Sequence, residues 1–157
     1  MGFARRGHQD VSRIFQNRTE KSNGYSKAFY QGRKIMNIQQ FWSDVLAQRA
    51  DKIREYFHTD ASVNWHCSNE HFTVEEFIRA NCEYPDDWDG EIEKIVTTDD
   101  MIITATRVYP KDRSASFHVT SFIKLKADKI VAMDEYWADD GEAPKWRQDM
   151  KIGRKIK

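Results

Sequence analysis

Cysteine is scarce in this chain. Only Cys67 and Cys82 occur in 157 residues, and their spacing forms no CxxC metal or redox motif. Two isolated thiols are expected to be buried and unpaired, as in a reducing cytoplasm. Net charge is missing as well, because 25 Lys and Arg balance 25 Asp and Glu. No overall field draws the chain to nucleic acid or to an anionic membrane, which argues against a general binder of either. No apolar run approaches the roughly 20 residues that span a bilayer. The start has no apolar signal core, and Arg5-Arg6 has no hydrophobic stretch behind it to complete a twin-arginine signal. A cytoplasmic location is therefore expected.

Metal-binding patterns are equally thin. His66, Cys67, Glu70 and His71 lie close in sequence, but they alternate faces and match no known ligand spacing. Asp86 and Asp87 lack the spacing of an EF-hand and read as a solvated turn or a pocket mouth between Tyr84 and Trp88. No metal and no cofactor is implied.

What the chain does have is apolar and aromatic mass, 39% and 13% of its residues, enough for one domain with a core and a pocket. Residues 1–33 mix Arg, Gln, Asn, Ser and Gly with scattered aromatics and show weak periodicity, so they read as an appendage. Met36 stands just before the first well-patterned segment and is an alternative translation start. An arm carrying Arg5, Arg6, Arg13 and Arg18 and contacting nucleic acid or a partner protein is the other reading. The domain proper is expected over 34–147, followed by a basic tail, 148–157, that includes KIGRKIK.

From Ile35 to Phe57, apolar residues recur at three- and four-residue steps (Ile38, Trp42, Val45, Leu46, Ile53, Tyr56, Phe57), which predicts one long helix. His58-Thr59-Asp60 is expected to break it. ASVNWHC then alternates Val63, Trp65 and Cys67 against Asn64 and His66, as a half-buried strand does. In FTVEEF, Thr73 and Glu76 form a capping box for a second helix ending near Cys82, with Phe72 and Phe77 as its staple. Turn signals at Thr97–Asp100, Pro110–Ser114 and Ala127-Asp128 divide the remainder into four antiparallel strands. The plan is α+β, with a twisted sheet and a long helix across its concave side enclosing a tapering space.

Alternation sorts the polar residues. On the last strand, Val131, Met133, Glu135 and Trp137 share one face, while Ile130, Ala132, Asp134 and Tyr136 share the other. Asn64 pairs with His66 on one face of the first strand, and Ile103, Ala105, Arg107 and Tyr109 share a face of MIITATRVY. Should these faces converge, a carboxylate, an arginine, an imidazole, an amide and a phenol meet in an apolar cup. Burial would raise the pKa of Glu135 toward a range useful for proton transfer, and a nearby Arg107 would lower it. His66 has an ordinary pKa near neutrality, about 6.5, so it suits either a proton shuttle or a structural hydrogen bond. His118 alternates with Phe117, Val119 and Ser121 and is expected to look outward. Asp139, Asp140 and Glu142 read as a solvated exit loop near Lys145 and Arg147.

In order along the chain, D-ASVNWH, the capped TVEEF helix, YPDDWDGEIEKI, TATRV and DKIVAMDEYWADDG resemble SnoaL-like domains of the nuclear transport factor 2-like superfamily, over roughly residues 36–147. The resemblance implies a cone-shaped α+β barrel, its strongly curved, mainly antiparallel sheet wrapped around a long N-terminal helix, and a homodimer formed through the sheet. It also implies an acid inside the cone, as in limonene epoxide hydrolase, ketosteroid isomerase and polyketide cyclases. Glu135 matches the hydrolase acid in its Asp-Tyr-Phe-Asp run, and Arg107 matches its strand arginine. Asn64 and His66 fall where the hydrolase holds its attacking water, while Tyr109 replaces its second aspartate. Two functions follow. One is a cofactor-independent acid/base enzyme of isomerase, cyclase or hydrolase type, with Glu135, Arg107 and His66 catalytic and with Asn64, Tyr109, Trp42, Trp65, Met133 and Trp137 around a small apolar or aromatic ligand. The other is a noncatalytic ligand-binding or dimerisation module of the same fold.

Overall fold

A computed structural model describes residues 36–156 in full, together with the backbone of a two-stranded ladder, β1 (Phe29–Tyr30) and β2 (Arg33–Lys34). The arginines proposed for an N-terminal arm lie outside the described residues. Two helices follow, α1 (Ile38–Leu46) and α2 (Ala50–Tyr56). Next come strands β3 (Phe57–Trp65) and β4 (Glu70–Thr73), then α3 (Val74–Cys82). Four strands succeed one another as β5 (Trp88–Thr97), β6 (Met101–Pro110), β7 (Phe117–Lys126) and β8 (Lys129–Asp139), before a short α4 (Lys145–Asp149).

The main sheet has six strands in the order β4-β3-β8-β7-β6-β5. β5 to β8 form the expected antiparallel meander, and β4 pairs antiparallel with β3. β3 runs parallel to β8, which makes the sheet mixed. Its two edge strands do not meet, so it is an open sheet and not the closed cone the sequence suggested. β4 was not expected, and His58–Asp60 lie inside β3 rather than breaking the chain before it.

The single long helix is also corrected. The helical pattern is interrupted at Ala47–Arg49, where no glycine or proline gives warning. Gln48 takes a left-handed backbone, φ 53°, which costs a residue with a Cβ about 1 kcal/mol or more. Its side chain offsets that cost by donating to the carbonyls of Asn81 and Tyr84, both at 2.8 Å. Asp44, 3% exposed, ties the two helices by accepting from Arg49 Nε (2.6 Å), Tyr56 Oη (2.7 Å) and Gln40 Nε2 (3.2 Å). The capping box at Thr73 and Glu76 forms as expected.

All three long helices cover one face of the sheet. Ile38, Phe41 and Trp42 of α1, Ile53 of α2, and Val74, Phe77 and Ile78 of α3 pack with Val63, Ile102, Val119, Ile123 and Met133 of the strands. We call this the inner face. Phe41 meets Tyr56 and Phe57 edge-on, at 5.3 and 6.1 Å between ring centres, joining the helices to the base of β3. A bulge shifts the pairing of β8, where Lys124 faces Ala132 but Leu125 faces Ile130. Ile130 is thereby fully buried with Met133, although strict alternation had put them on opposite faces.

Candidate functional site

A cavity of about 550 Å³ opens beneath α1 and α3, against the ends of β3 and β8. Its aromatic wall comprises Trp42, Trp65, Tyr84, Trp88, Phe117 and Trp137, with Glu70 and Asp139 also on its lining. The four indoles share one feature. Each N–H is directed to a protein acceptor: Trp42 to Thr104 Oγ1 (3.3 Å), Trp65 and Trp137 to Glu135 Oε2 (2.7 and 3.2 Å), and Trp88 to the Pro85 carbonyl (2.9 Å). An indole has one donor and no good acceptor. With those donors engaged, the tryptophans have only apolar ring surface left for anything in the cavity.

Glu135 lies behind the indoles, 2% exposed and fully enclosed by protein. Oε2 accepts both indole N–H groups, and Oε1 accepts the Ser121 hydroxyl at 2.7 Å. Burial pushes this carboxyl above the ordinary carboxylate range, and the donors Ser121, Trp137 and Trp65 only partly oppose it. Of the three partners, only the serine hydroxyl can also accept a hydrogen bond. A proton on Glu135 therefore belongs on Oε1, shared with Ser121.

The inner face is reached by Glu135, Trp42, Trp65, Trp137 and Met133. Met133 is fully buried core beneath the cavity and does not line it. The remaining expected site residues sit elsewhere. Asn64 and His66 project from the opposite side of β3, where both bond Asp134 Oδ1 at 2.8 and 2.7 Å. The His66 ring stacks on Tyr136, with centres 4.6 Å apart, and His71 Nδ1 meets Asn64 Oδ1 at 2.7 Å. The Asn64 amide, with His66 assisting and burial opposing, holds the Asp134 carboxyl below its usual range.

Arg107 is likewise on the outer face. Its Nε donates to Ser116 Oγ at 2.9 Å, with Asp140 and Glu91 at 3.7 and 3.8 Å. His118 completes this outer group, bonding Asp140 through Nδ1 and approaching Glu93 at 3.4 Å. Asp140, led by its hydrogen bond, holds the His118 imidazolium above its ordinary pKa. Tyr109 is buried under the Arg113 guanidinium, 3.6 Å from its ring centre, outside the cavity. The structure thus divides the five expected polar groups: Glu135 inside, and Asn64, His66 and Arg107 outside with Tyr109 capped. Alternation told which residues share a face, but β6 buries Thr104 and Thr106 inward, so polarity alone pointed to the wrong side.

Ser121 was the partner that sequence reasoning missed. Its place between Val119 and Ile123 put it on an apolar face, but its meeting with Glu135 depends on the β7–β8 register, which no local signal carries. Asp140, read as a solvated loop residue, bridges Ser116 and His118. The thiols are not buried either, since Cys67 is exposed and Cys82 half-buried. Among the described residues, no group of three or more His, Cys, Asp or Glu is placed to hold a metal ion, and no helix is long and apolar enough to cross a membrane.

None of the curated proteins matches the sequence. Solved structures share the fold at low identity. A candidate ketosteroid isomerase from Kribbella flavida DSM 17836 is 12% identical, with a TM-score of 0.64 over 76% of this chain and 86% of its own. A nuclear transport factor 2-like protein of unknown function from Burkholderia xenovorans LB400 is 19% identical, with a TM-score of 0.63 over 76% and 92%. An LEH-like epoxide hydrolase from M. tuberculosis is 9% identical, with a TM-score of 0.54 over 64% and 79%. The model of the SnoaL-like domain matches residues 38–133, a span that includes α1 to α3 and the strands as far as Met133. The chain belongs to the SnoaL-like domain family.

Proposed function

We propose that this protein binds a small, flat, uncharged apolar or aromatic molecule in the cavity beneath α1 and α3. The observation that carries the reading is the state of the four indoles: every cavity-lining tryptophan donates its N–H to the protein. Away from Glu70 and Asp139, a ligand rich in hydrogen-bonding groups would leave those that face the indoles without partners, at a cost of about 1–3 kcal/mol each. A flat apolar ligand loses nothing there and removes ring surface from water. Thermal denaturation with 2-naphthol and with myo-inositol tests this. The expected result is a saturable rise in Tm with the naphthol alone. A rise with inositol, or none with naphthol, contradicts it.

An acid/base enzyme is the second reading, favoured by the buried Glu135 directly behind the cavity wall, its carboxyl pushed above the ordinary range by burial. In that reading Glu135 is the acid or base, its proton held on Oε1 against Ser121, and a substrate atom reaches it by displacing one indole. Arg107 and His66, on the outer face, act only at a distance. Deuterium exchange at the α-carbon of a cyclic ketone, followed by proton NMR, tests it. Exchange by the wild type and not by Glu135→Gln supports catalysis, and equal slow exchange by both removes it. For the outer face, where Tyr136 stays 46% exposed between the rings of His66 and Phe122, we assign homodimerisation, tested by sedimentation of the wild type and Tyr136→Glu.

A further inference from the structure

Two walls of the cavity are held by one oxygen atom. Trp65 and Trp137 come from different strands, their rings 6.0 Å apart and edge to face, and both N–H groups end on Glu135 Oε2. The carboxyl itself does not line the cavity. Whatever fills the cavity therefore meets Glu135 through these indoles. We propose that Glu135 is a positioning residue for the aromatic wall, and that binding of an uncharged apolar ligand is coupled to uptake of a proton at its Oε1. This rests on the cavity being a ligand site, as proposed above.

The coupling follows from geometry and the dielectric. An ionised Glu135 has three hydrogen-bond donors but, among the described residues, no cationic partner, so the polarity of its surroundings has to carry its charge. The groups acting on it are burial and the donors on β7, β8 and β3, namely Ser121, Trp137 and Trp65. The elements packed around it bring titratable groups that engage elsewhere. Asp134 and His66 bond each other on the outer face, and Asp44 of α1 bonds Arg49 and Tyr56. Cys67, Glu70, Tyr84 and Asp139 line the cavity but do not act on the carboxyl.

An apolar molecule against the indoles replaces a polarisable medium with one that cannot stabilise charge. The protonated form keeps both indole bonds on Oε2, while Oε1–H turns to donate to Ser121 Oγ. The aromatic wall is thus preserved in both states. By reciprocity, a ligand that favours the protonated form is bound more tightly by it. Affinity is then greatest below the pKa of the free protein and falls as pH rises through the titration of Glu135, about tenfold for each unit by which the ligand raises that pKa.

Calorimetric titration of the full chain with 2-naphthol, in buffers of different ionisation enthalpy and at several pH values, reads the proton directly. The expected result is fractional proton uptake by the wild type, with affinity weakening as pH rises. Glu135→Gln keeps an oxygen for both indoles but carries no titrating proton, so its binding is expected to show neither uptake nor that pH dependence. Ser121→Ala removes the acceptor for Oε1–H and is expected to shift the pH at which affinity falls. Binding by the wild type without proton uptake overturns the inference and leaves the cavity reading intact. Uptake that persists in Glu135→Gln also overturns it. Absence of any binding overturns the cavity reading and this inference with it.

Discussion

Trp65 and Glu135 are register partners across the parallel junction of β3 and β8, and the indole N–H of one reaches Oε2 of the other at 2.7 Å. The junction thereby turns a backbone pairing into a side-chain clamp on the inner face. It also leaves a carboxyl in the core with no cation beside it among the described residues, so its titration contributes to the pH dependence of folding.

Glu135 has its pKa raised by burial in the folded chain, so the native state holds its proton more tightly than the unfolded chain does. Stability from this group is greatest below the unfolded value. It falls as pH rises toward the folded value, by about 1.4 kcal/mol for each unit of separation. Glu135→Gln is expected to flatten that fall and to equal or exceed the wild type in Tm at neutral pH. Melting curves of both proteins across the acidic to neutral range provide the check. A mutant that loses stability equally at every pH would instead assign Glu135 a packing and hydrogen-bonding role that does not depend on its ionisation.

Asp44 is the opposite case. Burial pushes its carboxyl up, but the bonds from Tyr56, Arg49 and Gln40 outweigh that and leave it below the ordinary range. Its contribution is present above the unfolded pKa and is lost as pH falls through the folded one. Removing the side chain leaves the Tyr56 hydroxyl with one partner fewer and separates the two helices at their joint. Asp44→Ala is expected to cost about 2–3 kcal/mol, reduced from a fully buried pair because Arg49 is half exposed. Urea denaturation at neutral pH measures it.

Gln48 combines backbone strain with two side-chain bonds, so its substitutions should separate the two. Gln48→Ala keeps the positive φ and loses both bonds to Asn81 and Tyr84. Gln48→Gly loses the bonds but relieves the strain. The expected order of stability is wild type, then Gly, then Ala, with the last two about 1 kcal/mol apart. Equal stability of Gly and Ala would show that the backbone there bears no cost.

Much of the fold was legible locally. Turn residues at Thr97–Asp100, Pro110–Ser114 and Ala127-Asp128 set the meander, and Thr73 with Glu76 announced α3. The inward placement of Glu135, Trp65 and Trp137 could also be read, because each shares a face with apolar neighbours. What escaped was decided by contacts distant in sequence. The bend at Gln48 is held by carbonyls more than 30 residues away. The bulge near Val131 turns Ile130 inward. Arg107 and His66 were drawn toward Glu135 by the polarity of their strand faces and then by resemblance, whereas the outer face already supplied Asp140 and Asp134 as their partners.

Under the proposed ligand role, four tryptophans present ring surface to the ligand while their N–H groups stay bound to the protein. The five indole N–H resonances in an ¹H–¹⁵N spectrum report it directly, since Trp146, 60% exposed and on α4, does not line the cavity and serves as the internal reference. On titration with 2-naphthol, the signals of Trp42, Trp65, Trp88 and Trp137 are expected to shift together and saturate while remaining protected from exchange, with Trp146 unmoved. Shifts confined to Trp146, or rapid exchange of the four N–H groups in the free protein, would contradict the account.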